Sequence, residues 1–370
     1  MVVLQFDNVT ALVKALLRAR GEDVEIVVRG NLRGRFRADL PANRTLVIRG
    51  ERASFDGTVI RKDWRDDGNG RWSRPAKSPH DGLVRMRSRV SDGRLHVTPD
   101  RRWNPQRFGL QVLPGGRPLL DIRGGKRVDL RGLSFNDAPA GGSFLRVAGA
   151  RSATLNEVFG SGGPGDGIAL DGVGTATLRR VHVGGTGGTA VFVNAADRLD
   201  WKEGSLYQNG KTAVHLVGGR DLRLSGVRVT RASGIGFRLA AGATLDDCDA
   251  RLCSGGGAVV EGPVRVAFRK TSLDYNPGVQ LRVLGPARIS FRNGSLRTPP
   301  TGPGDRAAAF GTDARGRLEL AQSWIVDGRG RYAAGGLTMT SRATRVCGPR
   351  PARLGPGDTH LPDRATATAP

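Results

Sequence analysis

Apolar residues recur along this chain at a nearly constant interval, most clearly between Asp166 and Leu296. Successive repeats align so that large apolar residues fall in one column, with steps of 23 residues and a single step of 21: Leu155, Leu178, Trp201, Leu224, Leu245, Phe268 and Phe291. Self-similarity at such a period is typical of a solenoid, in which each repeat forms one turn of the chain.

Each repeat contains three short segments in which apolar and polar residues alternate. In the repeat that begins at Thr212 the apolar positions are Val214, Leu216, Leu222, Leu224, Val227 and Val229. Gly-rich or two-residue turns separate the segments and leave no room for a helical turn. Alternation with a period of two indicates β-strands, so three strands per turn predict a parallel β-helix. A leucine-rich repeat has a similar length, but its helical arc and inward Asn are absent.

Two further features carry a resemblance to a known family. The corner between the second and third segments is two residues long, as in Lys202-Glu203, Ser225-Gly226, Asp246-Asp247 and Arg269-Lys270. The stretch from Val9 to Gly57 is similar to the opening of a pectate lyase, with a capping helix followed by strands. The chain thus resembles the pectin-lyase-like superfamily. The resemblance implies an all-β fold, a right-handed single-stranded parallel β-helix of roughly ten coils with an N-terminal capping α-helix.

We expect a single β-helix domain over residues 1–346. Its parts are a capping helix at 7–21, a Trp- and Arg-rich excursion at 61–118, and regular coils at 119–326. Residues 347–370 lack periodicity, and we expect them to be disordered. The helix prediction rests on apolar residues at helical spacing, namely Val9, Leu12, Val13, Leu16 and Leu17.

The excursion interrupts the repeat and has two interpretations. It contains Trp64, Trp72 and Trp103 among many Arg, and a strand pair is predicted between Leu83 and Val97. A long structured loop is a common place for binding residues, so the segment can form a functional lobe over a lateral cleft. Alternatively, it is a second layer of packing in which the Trp side chains are anchors.

The charge of the chain favours an anionic partner. Lys and Arg number 58 against 34 Asp and Glu, which gives a net charge of +24. An acidic polysaccharide is the partner we expect. Nucleic acid is less favoured because no known nucleic-acid module is present. Since only seven of the basic residues are Lys, a compositional bias toward Arg is the other explanation of the charge.

Other classes of protein and site receive less support. No apolar run approaches the roughly 20 residues that a membrane span needs, so no span is expected. Cys248, Cys253 and Cys347 form neither a disulfide framework nor a zinc site, and no cofactor or metal is predicted. The N-terminus shows no secretory signal. We therefore expect a cytoplasmic protein, or a secreted one whose signal has been removed.

The outward residues of the first strand form the candidate site. By alternation they are Asp121, Arg146, Ala169, Phe192, His215, Arg238, Val259 and Arg282. Coils stack about 4.8 Å apart, so these side chains form a ladder down one face. We expect Arg146, Arg238 and Arg282 to bind carboxylates of a uronate polymer and Phe192 to stack on a sugar. Lys211 is a further candidate for substrate binding.

These residues suggest a metal-free polysaccharide lyase, if the protein is an enzyme. β-Elimination needs a neutralised carboxylate and a base beside it, roles that suit Arg238 and His215. Tyr207 and Lys211 are candidates to protonate the leaving oxygen. The resemblance adds Asp166, which lies where similar enzymes have an acidic residue. The carboxylate sets of calcium-dependent lyases and of polygalacturonases are absent. The alternative is a non-catalytic scaffold or an adhesin-like protein that binds polyanions.

Overall fold

The computed structural model describes most of the chain, with gaps in the excursion and toward the C-terminus. The described residues are 2–6, 9–61, 63–68, 71–76, 82–83, 88–92, 94–98, 106, 110–113, 116–299, 308–312, 317–326, 338–342, 344–347 and 359–361. They form two compact units, which are Met1–Val173 with His182–Gly188, and Gly174–Val181 with Thr189–Pro370.

One helix, α1 (Val9–Arg18), precedes the coils. Leu12 and Leu16 are buried on one side of it, whereas Leu17 is half exposed. The buried side packs against the strands β2 (Val24–Arg33) and β3 (Phe36–Leu40). The amphipathic spacing thus forms the predicted N-terminal helix, although residues 7 and 8 of the predicted range lie outside the described residues.

The remaining strands up to Asp171 are β1 (Val2–Phe6), β4 (Thr45–Asp56), β5 (Val59–Arg61), β6 (Arg65–Gly68), β7 (Arg71–Pro75), β8 (Gly82–Leu83), β9 (Ser88–Ser91), β10 (Arg94–Val97), β11 (Leu110–Leu113), β12 (Leu120–Gly124), β13 (Arg127–Asn136), β14 (Ser143–Ala148), β15 (Ser152–Ser161) and β16 (Asp166–Asp171). Two parallel stacks run through the first unit. The first-strand stack is β3, β12, β14 and β16, and the second contains β1, β2, β4, β13 and β15.

The excursion forms two small antiparallel sheets. One contains β6, β7, β10 and β9, and the other contains β5, β11 and β8. The strand pair expected between Leu83 and Val97 is present, since β9 pairs with β10. Trp64 is buried against Leu95 and Val97, and Arg74 lies over its ring. Trp64 therefore anchors this lobe, while Trp103 lies outside the described residues.

The strands of the later coils are β17 (Thr175–Gly184), β18 (Val191–Tyr207), β19 (Val214–Thr230), β20 (Ile235–Ala240), β21 (Ala243–Asp246), β22 (Asp249–Arg251), β23 (Gly256–Glu261), β24 (Arg265–Arg269), β25 (Ser272–Asp274), β26 (Val279–Leu284), β27 (Arg288–Arg292), β28 (Ser295–Arg297), β29 (Ala308–Thr312), β30 (Arg317–Ala321), β31 (Trp324–Val326), β32 (Thr338–Arg342), β33 (Arg345–Cys347) and β34 (Thr359–Leu361). From β20 to β28 each coil contributes three strands, and each strand pairs in parallel with its counterpart one coil later.

The core of the second unit is the apolar column seen in the sequence. Trp201, Leu224, Leu245, Phe268 and Phe291 are register partners on successive coils, and each is at most 1 % exposed. The predicted all-β parallel β-helix with an N-terminal helix is confirmed, and its coils number about 11 rather than ten.

In two neighbouring coils, the size of the column residue is balanced by the residue three positions later. Leu224 is followed by Val227, which points inward and is fully buried. The larger Trp201 is followed by Gly204, which is the register partner of Val227. A Cβ at Gly204 would lie 2.6 Å from the indole Nε1 of Trp201. Since interiors are close-packed, the indole of Trp201 leaves no room for a side chain at position 204.

Each two-residue corner depends on one residue with left-handed backbone dihedral angles. The second corner residue has a positive φ in successive coils, at Glu203 (57°), Gly226 (67°), Asp247 (50°) and Lys270 (48°). This conformation turns the chain between the second and third strands without a loop. A non-glycine residue adopts this left-handed conformation at a cost of about 1–2 kcal/mol. The stacking of many coils holds the corner residues in this conformation despite that cost.

The residues that we expect to be disordered, 347–370, lie largely outside the described part of the chain. Of residues 347–370, only Cys347 and the strand β34 are described. No helix within the described ranges is long and apolar enough to cross a membrane.

Candidate functional site

In the first unit, the outward residues of the first-strand stack form a continuous row. Arg37, Asp121, Arg146 and Ala169 are register partners on β3, β12, β14 and β16. The alternation expected from the sequence therefore holds, and it brings an acidic side chain between two arginines on neighbouring coils.

Asp121 is the most buried of these side chains, with 6 % of the residue exposed. Arg123 donates to its Oδ2 from Nε (3.0 Å) and from Nη2 (2.8 Å). Oδ1 is buried and accepts no hydrogen bond from any described group. A buried carboxylate oxygen without a donor is costly. Asp121 is therefore held by Arg123 through Oδ2 alone within the described part of the chain.

A cleft of about 650 Å³ opens over this row. It is lined by five arginines and two aspartates, which are Arg35, Arg37, Arg117, Arg123, Arg146, Asp121 and Asp166. Two residues of the predicted site, Arg146 and Asp166, therefore share one cavity. The excess of guanidinium groups over carboxylates makes the cleft suitable for an anionic ligand.

The sequence did not reveal the partner of Arg146. Its Nη2 donates to Oδ2 of Asp171 over 2.8 Å, and both side chains are about one-third exposed. Asp171 ends β16, two residues beyond Ala169, which is the register partner of Arg146. Asp166 begins the same strand, and its Oδ1 occupies the place that a Cβ at Gly188 would need.

In the second unit, the predicted row consists of Phe192, His215, Arg238, Val259 and Arg282, which are register partners on successive coils. The rings of Phe192 and His215 meet edge to face, with centroids 5.3 Å apart. Burial lowers the pKa of His215 below the usual 6.5, and the nearby Arg238 cation lowers it further, while Glu261 opposes this. The imidazole is therefore neutral at pH 7 and able to accept a proton.

Glu261 is a residue of this site that sequence reasoning missed. Nε of Arg238 donates to both carboxylate oxygens of Glu261 at 3.1 Å. Glu261 ends β23 two residues after Val259, the register partner of Arg238. The same offset joins Arg146 to Asp171. The sequence did contain a signal for these ion pairs. In both cases an acidic residue lies two positions after the residue that faces the arginine on the next coil.

Of the other predicted residues, Tyr207 and Lys211 lie outside the first-strand row. Tyr207 is half exposed at the end of the third-strand segment, where it pairs with Thr230 rather than with a first-strand residue. Lys211 lies in the following turn, and its carbonyl accepts the N–H of Gly234. Arg282 is exposed on β26. The structure thus brings together Phe192, His215 and Arg238, and it places Tyr207 on another strand stack.

The described residues include no group of three or more His, Cys, Asp or Glu side chains that could hold a metal ion. Cys248 and Cys253 are buried and free.

Residues 122–296 match the family model described as a right-handed β-helix region. The chain is a right-handed parallel β-helix. A solved structure titled "The complex structure of XylC with xylose" is similar to this β-helix, with a TM-score of 0.52 and 8 % identity. The match covers 98 % of this chain and 86 % of that one. At this identity the likeness concerns the fold alone, which is a β-helix. No curated protein matches the sequence.

Proposed function

We propose that this β-helix binds an acidic polysaccharide along the first-strand face of its coils. The observation that carries the proposal is the cleft over Asp121 and Arg146, in which five arginines surround two aspartates. Guanidinium groups bind carboxylates through paired, charge-assisted hydrogen bonds.

The fold supports a carbohydrate ligand as well. The similar solved structure is, by its title, a complex with xylose. A row of outward side chains at one per coil, about 4.8 Å apart, gives an extended polymer a contact on every coil.

The binding proposal is tested with polygalacturonate and the full chain. Arg146→Gln and Arg117→Gln should each weaken binding about threefold to tenfold, since each removes one charged contact. Arg151→Gln is the matched control, because Arg151 is exposed and lies outside the cleft lining. If the cleft variants and the control bind polygalacturonate with equal affinity, the cleft is not the binding site.

We further propose that the row around His215 cleaves such a polymer by β-elimination. The neutral imidazole takes the proton from the carbon next to the uronate carboxylate, and Arg238 stabilises the charge that develops on that carboxylate. A C=C bond then forms as the bond to the leaving sugar oxygen breaks. Tyr207 or Lys211 gives a proton to that oxygen. Both hydrogen bonds of Arg238 to Glu261 use Nε, which leaves its Nη groups available to a substrate carboxylate.

The lyase proposal is tested by the ultraviolet absorbance of the unsaturated product, with and without a chelator. His215→Gln should lower the rate at least about a hundredfold, as expected for loss of a general base. His182→Gln is the control, because His182 is also partly buried with a lowered pKa and stacks on Phe159. Equal rates for the two variants, or no product from any uronate polymer, would reject the enzyme.

The ion pairs favour a second candidate, a non-catalytic scaffold that binds polyanions. Arg146 and Arg238 each already bind a carboxylate of the next coil, which is how a structural ladder would use them. Binding without product in the experiments above would support this candidate.

A further inference from the structure

The second-strand face of the second unit carries a pattern that the first-strand site does not use. The strands β24 and β27 read Arg-Val-Ala-Phe-Arg and Arg-Ile-Ser-Phe-Arg. They pair in parallel with Arg265 opposite Arg288 and Arg269 opposite Arg292. The apolar residues between them are buried, and all four arginines are exposed.

The geometry of these strands forms a groove. Alternate residues face outward, so each strand presents an arginine, a small residue and a second arginine. Ala267 and Ser290 are register partners and form the floor between the two arginine rows. Arg317 lies opposite Arg288 and extends one row by a further coil. A cavity of about 390 Å³ lies along this row and the floor, and its lining does not include Arg269 or Arg292 of the other row.

The charges in the groove are not neutralised within the described part of the chain, where none of the four arginines on β24 and β27 forms an ion pair. Glu319 pairs with Arg317 over 3.2 Å, and Asp221 pairs with Arg223 over 2.9 Å. Asp246 is the register partner of Arg269 but makes no ion pair with it. Like charges directly opposite on neighbouring strands are destabilising. An anionic ligand would remove that repulsion.

We propose that this groove is a second anion-binding surface, for a linear polysaccharide that carries an anionic group on each sugar and lies along the coil axis. The arginine rows repeat about every 4.8 Å, one coil at a time, which is close to the length of one sugar residue. Small side chains on the floor leave room for a flat pyranose ring. Among the described residues, no aromatic side chain lines the cavity, so they do not supply the base stacking that binds single-stranded nucleic acid. The surface does not depend on the cleft or on His215.

The test compares two variants of equal charge by their affinity for immobilised polygalacturonate and heparin, with neutral dextran as the blank. The groove variant replaces Arg265, Arg269, Arg288 and Arg292 by Gln. The control variant replaces four exposed arginines elsewhere by Gln, which are Arg18, Arg52, Arg151 and Arg231. A third variant has Lys at the four groove positions. Circular dichroism checks that all three retain the β-helix.

The groove variant should lose at least about tenfold in affinity for one or both polymers, since four charge-assisted contacts are removed. The control should stay within about twofold, and the Lys variant should recover most of the loss because its charge is retained. Loss of affinity for polygalacturonate identifies carboxylate as the anion, and loss of affinity for heparin alone identifies sulfate.

Equal losses of affinity in the groove and control variants would overturn the proposal. A groove-dependent preference for single-stranded DNA would overturn the ligand assignment. The Arg146→Gln and Arg117→Gln variants report separately on the cleft, so the two proposals can fail independently.

Discussion

Gly204 leaves the space that the indole of Trp201 occupies. The two residues lie three positions apart in one coil, and a Cβ on Gly204 would lie 2.6–2.9 Å from three atoms of the indole. In the next coil the register partners are Leu224 and Val227. These two neighbouring coils thus divide the same inward space differently between two positions.

Gly204→Ala should therefore destabilise the protein by about 1–3 kcal/mol, which is the usual cost of overpacking a core. In a Trp201→Leu background the same substitution should cost less than about 0.5 kcal/mol, because the indole is gone and the atoms no longer meet. Chemical denaturation of the four proteins in a double-mutant cycle measures the coupling. An additive cycle would show that the two positions do not share one space.

His215 should titrate below the ordinary histidine value. Burial is the main cause, and the cation of Arg238 adds to it. Arg238→Gln should raise the pKa of His215, because it removes the cation and leaves Glu261. Titration of the imidazole signals by NMR measures this. The pKa of His182 is lowered by burial alone, so its signal should not respond to Arg238→Gln, and an equal shift of both signals would contradict the assignment.

A stability change with pH follows from the same lowered pKa. The unfolded chain binds a proton on His215 near pH 6.5, whereas the folded chain binds it only at lower pH. The free energy of unfolding should therefore fall as the pH decreases below about 6.5, and this loss should level off below the folded pKa. His215→Gln should reduce the slope in this window. An unchanged slope would show that the imidazole has the same pKa in both states.

Glu261→Gln separates the structural role of Arg238 from a binding role. The pair is partly exposed, with 41 % of the Arg238 side chain and 24 % of the Glu261 side chain accessible. Its loss should change the free energy of unfolding by less than about 1 kcal/mol. If Arg238 binds substrate carboxylates, affinity for polygalacturonate should rise, since a competing carboxylate is removed. Isothermal calorimetry of the two proteins measures this, and lower affinity would assign Arg238 a structural role.

Cys248 and Cys253 should resist alkylation in the folded protein. Burial raises the pKa of Cys248 to about 12 and that of Cys253 to about 11, and the thiolate is the reactive form. In a Cys347→Ser background, iodoacetamide should label neither thiol at pH 8 until denaturant is added. Mass spectrometry of the labelled peptides provides the measurement. Labelling of either cysteine under native conditions would contradict the burial.

The repeat let most of the fold be predicted from the sequence. A period of 23 residues with three alternating segments can bury its apolar positions only if successive repeats stack, so the column from Trp201 to Phe291 predicted the core. The residues Asp121 to Ala169 and Phe192 to Arg282 of the outward rows followed from alternation alone, because a strand has only two faces.

The ion-pair partners of the site residues could not be predicted from alternation along the strands. Arg146 binds Asp171 and Arg238 binds Glu261 by a diagonal step, one coil on and two residues along. Which diagonal neighbour a long side chain reaches depends on its rotamer and on the twist of the strands. Asp121 is likewise a row residue by sequence, and only its burial beside Arg123 leaves Oδ1 without a donor.

The sequence alone therefore determined the periodic features, which are the parallel β-helix, the inward column, the corners and the two outward rows. They depend on backbone repeat and on the hydrophobic effect, both of which act at every coil alike. The tertiary structure decided the aperiodic features, which are the diagonal ion pairs, the cleft over Asp121 and the groove between the arginine rows. These depend on distances and desolvation between particular side chains, which differ from coil to coil.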